Sequence, residues 1–142
     1  METIELRSTP VAHQPTNRRA KISKILYWVV TGLFAAMMLM AGITEAIRHE
    51  SGREIMRHLG YPVHVLVVLG VGKILAAIAL AQQRFRTIKE WAYAGITFNL
   101  IGGCVARASA GDSTGLILSP LIFLAVMFVS YFLWKRVESL RS

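Results

Sequence analysis

Four long apolar runs, broken by a single formal charge, constrain this chain more than any other feature. Ile25–Ile43, Val63–Ala81, Trp91–Ala106 and Gly115–Trp134 are 19, 19, 16 and 20 residues long, and only the second contains a charged residue, Lys73. A bilayer-crossing helix needs about 20 predominantly apolar residues, with a usual range of about 17–25. Three runs meet that length, and the third does once its flanks join it. A soluble bundle of greasy helices is the alternative, but each of its helices must show a polar stripe at the 3.6-residue period. Leu116–Trp134 offers only Ser119, Pro120 and Ser130, and Ile25–Ile43 offers little beyond Thr31. The expected fold is all-α and membrane-embedded: an antiparallel bundle of four transmembrane helices.

Composition closes other routes. Of 142 residues, 54% are hydrophobic and 17% charged, against about a quarter charged in a typical soluble domain. Disorder over most of the chain is excluded by that apolar content. Cys104 is the single cysteine, which excludes an intramolecular disulfide, a CxxC pair and any multi-cysteine zinc or iron–sulfur site. Cys104 itself reads as a small packing residue, and Met37, Met38 and Met40 read as bundle filling.

The net charge of +8 is distributed as a topology signal. Arg7, Arg18, Arg19, Lys21, Lys24, Arg84, Arg86, Lys89, Lys135, Arg136 and Arg141 fall on one side of the four runs. Arg48, Arg53, Arg57 and Arg107 fall on the other. Lys and Arg concentrate in cytoplasmic segments near span ends, so both termini are expected in the cytoplasm, against anionic headgroups. The charge is no sign of a nucleic-acid site. Tyr27, Trp28, Trp91, Tyr93, Tyr131 and Trp134 fall on the same predicted face and read as an interfacial aromatic belt. Residues 1–23 are expected to form a disordered basic tail, 24–135 the membrane domain, and 136–142 a second cytoplasmic tail. No cleavable signal peptide is expected, because a long polar segment precedes a first run longer than a signal core.

Within the first connection, Ile55, Met56 and Leu59 share a helical face flanked by Arg53, Glu54, Arg57 and His58, which predicts a short amphipathic helix at the outer surface. Gly60–Tyr61–Pro62 ends it, and Gly111–Asp112 marks a tight turn later in the chain. Small residues four apart (Gly32 and Ala36, Gly72 and Ala76, Gly95, Asn99 and Gly103) are expected to line close helix contacts.

The intramembrane polar residues are the candidate site. Lys73 lies mid-span, where an isolated cation costs at least ~2.5–3.5 kcal/mol, so it must face the interior and find a partner. At 1.5 Å per residue its depth matches Asn99, with Thr31 near the same level, and a Lys73–Asn99 hydrogen bond is the expected contact. Glu45, near the outer end of the first run, is expected to pair with Arg107. Direct contact with Lys73 requires both side chains extended and is not assumed. The structural reading of Lys73 is a register-setting polar contact between helices; the functional one is ligand or proton binding. Glu90, with Arg86 and Lys89 beside it, reads as a structural charge at a helix start. His49, His58 and His64 cluster near the outer face without the i, i+4 spacing of a metal motif, and no metal site is expected.

Several stretches carry a resemblance. Leu59–Gly60–Tyr61–Pro62, Leu69–Gly70–Val71–Gly72–Lys73, Lys89–Glu90–Trp91–Ala92–Tyr93–Ala94–Gly95, Gly111–Asp112 and Ser130–Tyr131–Phe132 together resemble the DoxX-like family of small four-span bacterial membrane proteins, over about residues 24–135. Members of that family often carry Ser-His near the outer end of span three, where this chain has Ala106 and Arg107. The resemblance implies a bacterial cytoplasmic membrane location. It also implies a quinone as the one cofactor to consider, since DoxX proper is similar to a subunit of a thiosulfate:quinone oxidoreductase.

Three functions follow. The first is an accessory or anchoring subunit for a redox or quinone-linked membrane partner, which itself carries the electron chemistry. The second is a small-solute or proton-coupled transporter using Lys73, which requires a homo-oligomer because four short helices enclose little space. A stand-alone enzyme is the weakest, since no nucleophile–base–orienter set is visible.

Overall fold

The computed structural model describes residues 16–141, with side chains from Arg18 onward. Among them there are five helices and no strand: α1 (Thr16–Ala46), α2 (Glu50–Leu59), α3 (Val65–Ala81), α4 (Arg86–Ser109) and α5 (Thr114–Ser139). The expected disordered tail lies partly outside the described residues. Its remainder is helical, because past Pro15 the run Arg18–Arg19–Ala20–Lys21 consists of good helix formers with no breaker. At the other end α5 continues through Ser139, beyond the boundary expected at residue 135.

α1 packs on α3 and α5, and α4 packs on the same two helices. Consecutive long helices run antiparallel: Gly42 and Ala46 at the end of α1 meet Gly70 in the first half of α3, and Arg86 and Glu90 at the start of α4 meet Glu138 and Lys135 at the end of α5. α2 and the α4–α5 turn lie at one end, hereafter the α2 end. The start of α1, the α3–α4 connection and the end of α5 lie at the other.

α2 stops at Gly60, whose φ of 77° is the left-handed conformation that glycine adopts without a Cβ penalty. Of its expected apolar face, Met56 is buried while Ile55 is exposed.

Two helices are long and apolar enough to cross a bilayer, α1 over Arg18–Ala46 and α5 over Thr114–Ser139. Only 28% and 11% of their apolar windows are buried, so neither is the enclosed core helix of a soluble domain. α3 is apolar but has 17 residues, and α4 includes Arg86, Lys89, Glu90 and Arg107. The outside of the assembly is greasy: Leu33, Met40, Val68, Phe98, Ile122 and Phe132 are between 64% and 76% exposed.

The close helix contact is not where the four-residue spacing predicted. A Cβ on Gly32, Gly72 or Gly95 would meet nothing within 4 Å. A Cβ on Gly70 would lie 2.5 Å from the Ala46 nitrogen and 2.6 Å from the Gly42 carbonyl oxygen. The backbones of α1 and α3 therefore touch at Gly42, Ala46 and Gly70, which only small residues permit.

Candidate functional site

That backbone contact positions the central polar pair. On a helix, residues three and four apart share a face, so Glu45 lies beside Gly42, and Lys73 beside Gly70. Where the two chains touch, the side chains one turn along extend toward each other, and Lys73 Nζ donates to Glu45 Oε1. The two side chains are 18% and 22% exposed. The expected Lys73–Asn99 bond does not form; α1 comes close enough to supply a carboxylate, which outcompetes an amide for an ammonium. Glu45 Oε2 is buried with no hydrogen-bond partner among the described residues.

Lys73 and Asn99 both line one cavity of about 410 Å³ between α3 and α4, to which α1 contributes Met38. It reaches along α3 from Val68 to Ala79 and along α4 from Ile88 to Asn99, about 16 Å of helix at 1.5 Å per residue. Gly72 and Gly95 line it, and their missing side chains leave the space. Exposed Val68, Leu75 and Trp91 at its edge show that it opens sideways, toward the apolar exterior. Its polar side chains are Lys73, Asn99 and the Trp91 indole; the rest of the lining is hydrocarbon or glycine. Such a groove suits an elongated apolar molecule with hydrogen-bond acceptors for Lys73 and Asn99.

The other expected site residues lie elsewhere. Thr31 is fully buried and bonds the Ser130 hydroxyl at 2.6 Å; the Tyr93 hydroxyl bonds the same oxygen at 2.8 Å. Arg107 donates to Asp112 at 3.1 Å rather than to Glu45, because the tight turn after α4 folds the acid back over its own helix. The His58 Nε2–H donates to the other Asp112 oxygen, tying α2 to this turn. The bond from His58 and, behind it, that from Arg107 hold the Asp112 carboxyl below its usual range, against the desolvation that acts in the opposite direction.

Charge counting missed Lys89. This residue is 2% exposed; its Nζ donates to the Tyr27 hydroxyl and lies 5.0 Å and 5.4 Å from the ring centroids of Tyr27 and Trp134. Tyr27, Tyr93 and Trp134 are buried inside, so half of the expected belt packs the core, while Trp28 and Trp91 remain exposed. Glu90 pairs with Lys135 of α5, not with Arg86 or Lys89. The one early signal was that Lys89 and Tyr93 sit in the same distinctive motif.

Comparison with known families decides the class: the model of the DoxX-like family matches residues 29–130, more than half of the chain. The chain belongs to the DoxX-like family. This DoxX-like protein matches no curated protein and no solved structure. Membership and the apolar exterior together point to a membrane protein. The matched span includes the DoxX-like chain's Glu45–Lys73 pair, its groove and the Thr31–Ser130 bond.

Proposed function

We propose that this protein is a four-span membrane protein of the bacterial cytoplasmic membrane, with both termini cytoplasmic, serving as an accessory or anchoring subunit for a redox or quinone-linked partner. Its α3–α4 groove holds an apolar molecule for that partner. The observation that carries this reading is the groove itself: hydrocarbon walls over about 16 Å, a lateral opening, and the polar side chains of Lys73 and Asn99 in its lining. A quinone fits that chemistry, with carbonyl acceptors for the ammonium and amide and an isoprenoid chain for the walls. Ten basic residues on the terminal side, leaving out the buried Lys89, support the orientation, and the exposed apolar side chains of all four long helices support four spans. Solute transport is disfavoured by a cavity that opens sideways and does not run along a central axis.

The test is extraction in mild detergent, followed by mass spectrometry of the organic-solvent extract and of co-purifying proteins. The expected result is a stoichiometric apolar molecule that is lost in Gly95→Leu, which fills the groove where a Cβ meets nothing, together with a stoichiometric membrane partner. A lone protein whose extract is unchanged by Gly95→Leu overturns the reading.

A further inference from the structure

The end of the helices opposite α2 carries a second cavity, separate in its lining from the groove. It is small, about 50 Å³, and its charged lining is Lys24, Arg86, Lys89, Glu138 and Arg141. An adjoining recess of about 340 Å³ shares Arg86, Glu138 and Arg141 and adds Lys135. Five cations thus surround two neighbouring spaces whose own lining supplies one carboxylate, Glu138; Glu90 also reaches Lys135.

Two buried groups in the small cavity are incompletely satisfied. Lys89 has no carboxylate within ion-pair distance among the described residues; Glu138, which lines the same cavity, acts on it only through space. The contacts of Lys89 are the Tyr27 hydroxyl, a long one to the Gln82 carbonyl oxygen at 3.4 Å, and two ring faces. An ammonium has three N–H donors, and a buried donor left unsatisfied is costly. Glu138 pairs with Arg86 through Oε1, whereas its Oε2 is buried with no partner among the described residues. A hydroxyl placed between them answers both, accepting from Lys89 and donating to Glu138 Oε2. The small cavity, at about 50 Å³ against about 340 Å³ for the recess, suits such an arm. The phosphate belongs in the recess, against Arg86, Lys135 and Arg141.

We propose that these two adjoining spaces form one binding site for a phosphodiester monoanion bearing a free hydroxyl, the hydroxyl seated between Lys89 and Glu138 and the phosphate in the recess. Arg86 and Arg141 offer forked donors that match phosphate oxygens. A phospholipid headgroup and a soluble glycerophosphodiester share this chemistry. The site does not depend on what occupies the groove.

Native mass spectrometry of the full chain in detergent tests this with a headgroup series. The probes are phosphatidylglycerol, phosphatidylmethanol with equal charge but no hydroxyl, phosphatidylcholine, and soluble glycerophosphoglycerol. Phosphatidylglycerol is expected to bind at least about tenfold more tightly than either phosphatidylcholine or phosphatidylmethanol, consistent with the loss of the hydroxyl's charge-assisted hydrogen bonds. Glycerophosphoglycerol binding as well as the lipid would assign a soluble source, and markedly weaker binding would assign the lipid; both uphold the site. Lys89→Met is expected to erase the preference over phosphatidylmethanol, while Lys21→Met, an equal loss of charge outside the cavity, leaves it intact. Equal binding of phosphatidylglycerol and phosphatidylmethanol overturns the proposal, as does an effect of Lys21→Met matching that of Lys89→Met. The headgroup series uses the unaltered chain, so it decides even where Lys89→Met does not fold.

Discussion

Lys73 of α3 and Glu45 of α1 form an ion pair one helical turn from the place where their backbones touch. Neither helix alone dictates the pair; it exists because Gly42, Ala46 and Gly70 let the two helices approach. Removing one partner of a fully buried pair costs about 3–5 kcal/mol. Here each side chain is about a fifth exposed, so Glu45→Met or Lys73→Met is expected to lose a smaller amount, about 1–3 kcal/mol. The double variant is expected to lose less than the two singles together, because no uncompensated charge remains. Reversible denaturation in mixed micelles measures all three; strict additivity would show that the pair contributes nothing as a pair.

Gly70→Ala tests the contact beneath it. The new Cβ would lie 2.5 Å from a backbone nitrogen, which no rotamer change relieves, so α1 and α3 must separate. Overpacking of this kind costs about 1–3 kcal/mol. Gly72→Ala, two residues on and facing open space, is the matched control and is expected to be neutral or better. A Gly70→Ala protein that unfolds with the control would refute the close approach.

The helix centres, the stop of α2 and the α4–α5 turn were legible because apolar runs, Gly60 and the Gly111–Asp112 turn are local signals, whereas α1 begins before and α5 ends after the expected boundaries. The partners within the site were not. Gly42 and Ala46 have the same four-residue spacing as Gly32 and Ala36, so spacing alone does not say which pair meets a neighbouring helix. Without that contact, depth matching paired Lys73 with Asn99 and left Glu45 for Arg107. Depth estimates place residues along an axis but not around it, which is why Thr31 joined the wrong cluster. Lys89 was counted as a topology charge, because nothing in a count distinguishes a snorkelling lysine from one enclosed by Tyr27 and Trp134.

Asp112 makes the α2 end acid-sensitive. Its carboxyl is held below the ordinary value by His58 and then Arg107, so the folded protein binds this proton more weakly than the unfolded chain does. The stabilisation is therefore complete above the unfolded pKa of about 3.9 and is lost as pH falls through the lower folded value. Thermal unfolding between about pH 5 and pH 2 is expected to show a falling midpoint that is flattened in Asp112→Asn. An unchanged slope in that variant would remove Asp112 from the account.

Ser130 is the most demanding single position. It is 0% exposed and bonds both Thr31 and the Tyr93 hydroxyl, so one oxygen joins α5 to α1 and α4. Ser130→Ala takes one partner from each of two buried hydroxyls, which keep the hydrogen bond between Tyr93 and Thr31, and opens a gap too small for a side chain to fill. A buried polar group left unsatisfied costs about 1–3 kcal/mol, and the tyrosine and threonine share the loss. Ser130→Ala is therefore expected to lower stability by about 1–3 kcal/mol. Adding Tyr93→Phe to it is expected to lower stability further, since that bond is then lost as well. Chemical denaturation of the two variants side by side reads this directly: a double variant less stable than Ser130→Ala would show that the Tyr93 hydroxyl is still held by another partner, Thr31, once the serine is gone, and an equal or greater stability would show that it is not.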